Sequence, residues 1–400
     1  MAKVPCPYCY HRINQARLAY VCVGRGIPGG PPKCLRRENT RRREVTGIVE
    51  QSFPIFAVGA NRLGGTPQFA PCPHCRGETG VRACPECHTP VSATFAESRS
   101  PMVGIVGGKG AGKTVYTAVL HHELRTTVRR RFRADIRLTG DMQGGTGSAM
   151  QWLEFNEDQL FNDGKLFETT ASAAGGMRAP VVIEWRQPTT RFGRTTFGTT
   201  VLSFYDAAGE DLTSAASVHT QAYIGVAEGL ILLLDPWQLP GARDRIAVPD
   251  AVIKESAPPL GVLTAITDTL RTTHKVRNRH SIPVPLAVVF AKIDEFFGVL
   301  EEGNPLLARP ASPAGCYDEV NGQTTHEHVK AMLHEFRADD IDSLLAANYS
   351  TYRYFAVSSL GTPPDYSINV VNSSGVHPFR VEEPLLWLLS RFGVIGRCRA

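Results

Sequence analysis

The chain has 400 residues, 42% hydrophobic and 20% charged, with a net charge of +5. That is ordinary for a globular protein, and long enough for two or three domains. No apolar run approaches the roughly 20 residues that cross a bilayer, and residues 1–6 (MAKVPC) carry no apolar leader. A membrane-spanning protein, an exported disulfide miniprotein and a disordered tail are therefore excluded as expectations, and a cytoplasmic protein is expected. The charge is uneven: residues 1–100 hold 14 Lys+Arg against 6 Asp+Glu, and the remaining 300 hold 29 against 32.

In residues 1–100 Cys, Pro, Gly and Arg dominate, apolar periodicity is poor, and eight of the ten cysteines occur. Cys72-Pro-His-Cys75 and Cys84-Pro-Glu-Cys87 are two CxxC knuckles eight residues apart, and Cys6-Pro-Tyr-Cys9 is a third. A CxxC turn offers two sulfurs to one metal, and two such pairs close a tetrahedral zinc site with no open position, a structural one. Sequential pairing gives one site from Cys72, Cys75, Cys84 and Cys87 and another from Cys6, Cys9, Cys22 and Cys34. The alternative interleaves the first knuckle with a later one. Two Zn²⁺ ions on eight thiolates would lower the segment's formal +8 to about +4. His11, His74 and His88 could replace a sulfur but read better as surface residues. The run Arg36–Arg43 could grip phosphates, and reads more simply as a solvated loop balancing thiolate charge. Cys316 and Cys398 stand alone and read as reduced thiols.

After residue 100, β-branched runs alternate with helical patterns, as in a mainly parallel sheet covered on both faces. Strands are expected at 102–107, 180–185, 199–205, 230–234, 284–290 and 354–357, and helices at 113–130, 260–270, 327–345 and 384–392. Residues 134–178 read as an insertion with one helical piece near 150–161, and 301–325 as a second loop. The basic residues Arg125, Arg129, Arg130, Arg131 and Arg133 complement a helix C-terminus. His121 and His122 are adjacent, so on a helix they face different directions. Trp152, Trp237 and Trp387 read as packing residues.

Gly107-Gly-Lys109-Gly110-Ala111-Gly112-Lys113-Thr114 fits G-x-x-x-x-G-K-[ST] at every fixed position, directly after a strand and opening the helix 113–130, with Val115 next along it. Its glycines let N–H groups curl around phosphate, Lys113 faces the β and γ oxygens, and Thr114 offers a hydroxyl to Mg²⁺. The strand 199–205 ends in Asp206-Ala-Ala-Gly209-Glu210, where a carboxylate can hold magnesium through water and the Gly209 N–H can meet the γ-phosphate. The strand ending at 290 runs into Ala291-Lys292-Ile293-Asp294. A carboxylate there can accept two hydrogen bonds from guanine, while the lysine stem packs on the purine. Ser358-Ser359-Leu360-Gly361 can offer N–H groups to the guanine oxygen.

These motifs, in this order, resemble the translation-factor-related and Ras-like (TRAFAC-clade) GTPases. With cysteine ribbons ahead of them, and DAAGED and AKID, the chain looks like the bacterial double-GTPase group. The resemblance implies a phosphate-loop NTPase three-layer α/β sandwich at 99–400, preceded by a zinc-ribbon module at 1–98. It also implies GTP/GDP with Mg²⁺ as ligands and a hydrolysis-driven switch working with protein partners. It carries over Lys113 and Thr114 for phosphate and metal, Asp206 and Gly209 for the switch, and Lys292 and Asp294 for guanine. The switch threonine between the first helix and residue 180 is expected at Thr169 or Thr170, ahead of Thr139 and Thr146.

Three positions depart from the family pattern. Ala291 stands where a brace for the phosphate loop is usual, Glu210 where a water-orienting Gln is usual, and Lys109 where Gly is common. All three point to slow intrinsic turnover, activated by a partner. Two other readings remain at this stage: a nucleotide-binding scaffold or sensor with negligible hydrolysis, and an ATP-driven nucleic-acid factor using residues 36–43.

Overall fold

Seven runs of the chain are strands of one sheet: β1 (Met102–Gly107), β2 (Asp135–Thr139), β3 (Val181–Arg191), β4 (Arg194–Asp206), β5 (Gly229–Leu234), β6 (Leu286–Phe290) and β7 (Tyr352–Ala356). Their order is β2-β3-β4-β1-β5-β6-β7. The structure is a computed structural model, which describes residues 3–59, 65–139, 149–167, 180–191, 194–206, 218–246, 258–309 and 314–399. The main helices are α1 (Lys113–Glu123), α2 (Ala149–Phe161), α3 (Val218–Val226), α4 (Pro259–Thr273), α5 (Glu319–Glu335), α6 (Asp339–Asn348) and α7 (Glu383–Arg391). The architecture is mixed α/β with a mostly parallel sheet. Among the described residues no helix is long and apolar enough to cross a membrane.

The chain separates into two compact units. The second comprises Val103–Ala134, Leu153–Ser172 and Phe204–Ala400. In it β1, β5, β6 and β7 run parallel, with registers Val103↔Gly229, Leu230↔Leu286 and Leu286↔Tyr352. Every residue of β1, β5 and β6 is buried, which is why these strands read as unbroken apolar runs. β6 starts at Leu286, two residues later than its apolar pattern, because Pro283 and Pro285 precede it.

Several expectations in this unit need correction. The helix expected at 327–345 is two: α5 ends at Phe336 and Arg337 turns left-handed (φ 57°) before α6. Phe336 is buried there against Phe290 and Phe296, a packing demand that outweighs continuation of the helix. The region 301–325 is not a plain loop. It holds a short strand, Cys316–Asp318, and the first turns of α5, whose N-terminus Asp318 caps by accepting from the Val320 and Asn321 N–H groups. That strand pairs in parallel with Gly396–Cys398, and Cys316 is disulfide-bonded to Cys398, so the two are not separate thiols.

Within 134–178 the helical piece expected near 150–161 is α2, and the segment also supplies an unexpected edge strand, β2, paired antiparallel with β3. The helix after α1 continues through a π turn, Leu124–Val128, and ends at left-handed Arg133. His121 and His122 do not diverge, because each places Nδ1 on a different oxygen of Glu157, at 3.0 and 2.8 Å. Burial raises the Glu157 carboxyl, but the two imidazole hydrogen bonds prevail and bring it down to about 2.

The first unit comprises Met1–Met102, Asp135–Trp152 and Ala173–Ser203. Its strands before residue 100 are short, from the pair Lys3–Pro5/Arg12–Asn14 to a four-stranded sheet built on Ala19–Val21. One of its cores gathers Cys6, Ile13, Leu18, Cys84 and Phe95 with Val182 of β3 and Val201 of β4. The strands β3 and β4 are longer than their apolar cores suggested and take in Thr- and Arg-rich ends. The basic run is no solvated loop. It forms a helix, Thr40–Thr46, capped by Asn39, with Arg42 only 2% exposed. Arg41 pairs with Glu86, Arg42 with Glu50 and Arg43 with Glu38, so these guanidiniums neutralise carboxylates rather than forming a bare phosphate grip.

Candidate functional site

β1 delivers the chain into the glycine loop, and α1 leaves it at Lys113. The turn needs Gly110 and Gly112 in the left-handed region, at φ 78° and 82°. Gly107 is required for a different reason: a Cβ there would lie 2.8 Å from the Leu233 carbonyl oxygen of β5. Lys113 is 8% exposed and donates from Nζ to the carbonyls of Gly107 (3.1 Å) and Gly108 (2.9 Å), so its charge sits inside the curl of the loop. Thr114 and Val115 follow on the first turn of α1, half-buried, and Lys109 and Ala111 lie in the loop itself.

The loops after β6 and β7 carry the other candidate residues. Ala291 donates its N–H to Leu234 O (3.1 Å), and Ile293 donates to Val357 O (3.2 Å), which ties the Ala291–Asp294 segment to both neighbouring strands. Lys292 is left-handed (φ 54°), and its Nζ donates to Gly110 O of the phosphate loop at 3.0 Å. The same ammonium lies 3.3 Å from Asp235 Oδ1 and 3.8 Å from the Trp237 ring centroid. Asp294 is 7% exposed. Burial pushes its carboxyl above the ordinary aspartate range, opposed by a hydrogen bond from Ser358.

Ser358 is fully buried, and its Oγ accepts from Gly361 N at 2.7 Å. Gly361 has φ 85°, and a Cβ there would meet the His377 carbonyl oxygen at 2.1 Å. Backbone bonds from Ser358 to Phe379 O and from His377 to Leu360 O pin this loop, which includes Ser359, from its far side. The structure thus brings Lys113, Lys292, Asp294 and Ser358 into one connected set. Asp206 ends β4, and Thr139 ends β2. Gly209, Glu210, Thr146, Thr169 and Thr170 lie outside the described residues. Sequence reasoning passed over Asp235 and left Trp237 as a packing residue. A carboxylate directly after the all-apolar β5 was the available signal.

The eight N-terminal cysteines form two groups of four, and within each the sulfurs lie within 4.8 Å of one another. The groups are Cys6, Cys9, Cys84 and Cys87, and Cys22, Cys34, Cys72 and Cys75. Sequential pairing is therefore overturned in favour of interleaving. The ladder explains it: Ala19 pairs with Ala83 and Tyr20 with Arg82, antiparallel, which sends Cys22 and Cys84 off opposite ends. Each CxxC knuckle has the same form, closed by Tyr10 N→Cys6 O, Arg76 N→Cys72 O and His88 N→Cys84 O, with left-handed residues at Tyr10, Arg76 and His88.

Sulfur separations of 3.8 Å (Cys6–Cys87 and Cys9–Cys84), 3.5 Å (Cys22–Cys75) and 3.9 Å (Cys34–Cys72) suit a tetrahedral ion. Metal–sulfur arms of about 2.3 Å give edges of about 3.8 Å. The Gly77 N–H draws Cys75 down to about 6, whereas burial pushes Cys34 up to about 11. A cation at the centre is what would let all four ionise together.

No family model matches the chain. A curated protein of Mycolicibacterium smegmatis, described as "Putative ESX-1 scaffolding and assembly protein SaeC", is 27% identical over 423 residues, covering 98% of this chain and 99% of its own. Among solved structures, the Ski7 GTPase-like domain of S. cerevisiae, bound to GDP and inorganic phosphate, aligns with 74% of the chain at 10% identity and a TM-score of 0.31. Sup35 complexed with GDP covers 72% at 14% identity and a TM-score of 0.24. The chain spans 50% and 44% of the lengths of those two. The signal recognition particle receptor SRb with GDP and Mg, from Chaetomium thermophilum, gives 13% identity and a TM-score of 0.23, covering 67% of this chain and 94% of its own. Likeness of that size fixes neither a ligand nor an activity.

The interleaved clusters make a direct prediction about metal content. Cys84→Ser should cost one ion per chain, and Cys6→Ser/Cys84→Ser should cost that same ion and no more. Cys72→Ser/Cys84→Ser should cost both. Elemental mass spectrometry of the purified variants checks this; if the Cys72/Cys84 pair loses only one ion, the two residues share a site and the pairing is wrong.

Proposed function

We propose that the chain binds GTP and GDP with Mg²⁺ at the loop of residues 107–115 and acts as a nucleotide-dependent scaffold, its four-cysteine module (1–98) docking protein partners. The observation that carries the reading is the convergence at one set of strand ends. Lys113 lies within the glycine loop, Lys292 reaches Gly110 of that loop, and Asp294 shares a hydrogen bond with Ser358.

In this reading Lys113 turns from the loop carbonyls to the β and γ oxygens as phosphate enters. Backbone N–H groups of residues 108–115 receive the remaining charge. The Thr114 hydroxyl and Asp206 would hold magnesium, which would supply neutralisation of the charge that develops on the phosphates. Asp294 accepts from the guanine edge, and Ser359 offers its N–H to the guanine oxygen, a role closed to Ser358, whose N–H is donated to Phe379 O. Hydrolysis is attack of water on the γ-phosphorus, with the bond to the β–γ bridging oxygen breaking to leave GDP and phosphate. Gly209 would hold the γ-phosphate through its N–H. Glu210 would repel it until a partner supplies positive charge. The turnover of the free protein is accordingly slow.

Zinc in the two cysteine clusters would close the N-terminal module, as four-sulfur sites do. The SaeC relative, named for scaffolding and assembly, supports protein partners, and the same name favours a second reading in which nucleotide is bound but scarcely hydrolysed.

At fixed Mg²⁺, GTP should displace a fluorescent guanine nucleotide far better than ATP does. Lys113→Ala should weaken binding by roughly 10- to 100-fold, the worth of one charge-assisted hydrogen bond. Equal displacement by ATP would sink the guanine assignment. Binding should also depend on pH through Asp294. Its carboxyl is raised by burial, and only the ionised form accepts both guanine donors. Affinity should be flat near neutrality and fall on acidification, starting above the ordinary aspartate value of about 3.9. Titrating affinity against pH with Asp294→Asn as control should show this acid limb in the wild type alone.

A further inference from the structure

We propose that Asp235 and Trp237 are positioning residues of the nucleotide site: they hold the Lys292 ammonium against Gly110 and so brace the phosphate loop, a task the Ala291 methyl cannot perform. This rests on the nucleotide-binding reading above and adds to it the residues that keep the cradle in shape.

The brace begins at the end of β5. Asp235 follows Leu234 directly and caps the short 3-10 turn Pro236–Gln238, with Oδ1 accepting from Trp237 N at 3.2 Å. It is 3% exposed, and Oδ2 is buried without a hydrogen-bond partner. A carboxylate in that setting is costly unless a cation stands beside it, and the Lys292 ammonium does so at 3.3 Å. Trp237 is 1% exposed and lies under the same ammonium, 3.8 Å from Nζ to the ring centroid. The indole is held in turn by Tyr366, edge-on at 5.1 Å, whose hydroxyl donates to Glu295 Oε1 at 2.9 Å.

Three attractions therefore converge on one ammonium: the Gly110 carbonyl, the Asp235 carboxylate and the Trp237 face. A lysine alone makes a poor brace, because its four-carbon stem has many rotamers and its charge prefers water. Fixed by an ion pair and a cation–π contact, it becomes a strut of defined length. Ala291 is 8% exposed and its backbone N–H is spent on Leu234 O, so position 291 adds no side-chain contact to the loop. The strut shapes the loop before nucleotide arrives, and its loss should show chiefly in the rate of release.

The test is GDP dissociation from the full chain, followed with a fluorescent guanine nucleotide chased by excess GDP. Asp235→Asn, which keeps the shape and the acceptor for Trp237 N–H, should speed release about tenfold. Trp237→Leu should speed it about threefold, and serves as the test should the first variant fail to fold. The GTP-over-ATP ratio should be unchanged in both, since Asp294 reads the base. Adding Ala291→Asn to Asp235→Asn should restore slow release, by supplying a side-chain amide beside the loop. Unchanged release in both single variants overturns the brace and leaves the nucleotide site standing. Faster release that Ala291→Asn does not rescue also overturns it, because Asp235 then serves the fold in general. A wild type that binds no guanine nucleotide defeats the underlying reading and the brace together.

Discussion

The second unit depends on one constraint: parallel strands buried on both faces must carry their polar chemistry at their ends. β1, β5 and β6 have no exposed residue along their lengths. Charged groups are excluded from these three strands and gather in the loops that follow them, at Lys113, Asp235, Lys292 and Asp294, with Ser358 after β7. The strands' parallel registers put all these loops at the same edge. Tight packing there also explains the glycines. At Gly107 and Gly361 a Cβ would run into a neighbouring carbonyl, Leu233 in one case and His377 in the other.

The first unit answers to a different constraint. Within residues 1–98 its strands are two or three residues long and could not hold a core by apolar burial alone. Cysteine supplies what is missing, since Cys6, Cys84 and Cys87 are at once core residues and prospective ligands. A bound ion in each cluster would tie residues some 40 to 80 positions apart, a closure whose entropy the short strands could not offset by themselves. Three of the five arginines of the basic run, Arg41, Arg42 and Arg43, are paired with Glu86, Glu50 and Glu38 within the unit.

Much of this was legible because local pattern and tertiary demand agree. An apolar run followed by G-x-x-x-x-G-K-T fixes a strand, a loop and a helix start: β1 spans the expected residues and α1 begins at the expected Lys113. Legibility failed where a distant partner decides. Cysteine spacing suggested sequential sites, but an antiparallel ladder between residues 19–20 and 82–83 chooses the interleaved ones. The helical pattern across 327–345 is broken by the burial of Phe336, a demand made by Phe290 and Phe296. Cys316 and Cys398, 82 residues apart, meet only because two short strands pair. Asp235 was invisible for the same reason: its meaning depends on Lys292, which arrives 57 positions later.

On the proposed nucleotide-binding reading, Ala291, Glu210 and Lys109 become coherent when taken together with the geometry. A protein selected for fast turnover needs a loop that rearranges easily and a neutral group to orient water. Here the loop is held by Lys292, and the acidic Glu210 follows β4. On the proposed nucleotide reading, both would favour long residence of the nucleotide over rapid cycling. A metal ion in each cysteine cluster would make the N-terminal module rigid at little cost in core. In this reading the nucleotide acts as a latch whose release is governed by the Asp235–Lys292 strut and by whatever partner can supply the cation that Glu210 demands.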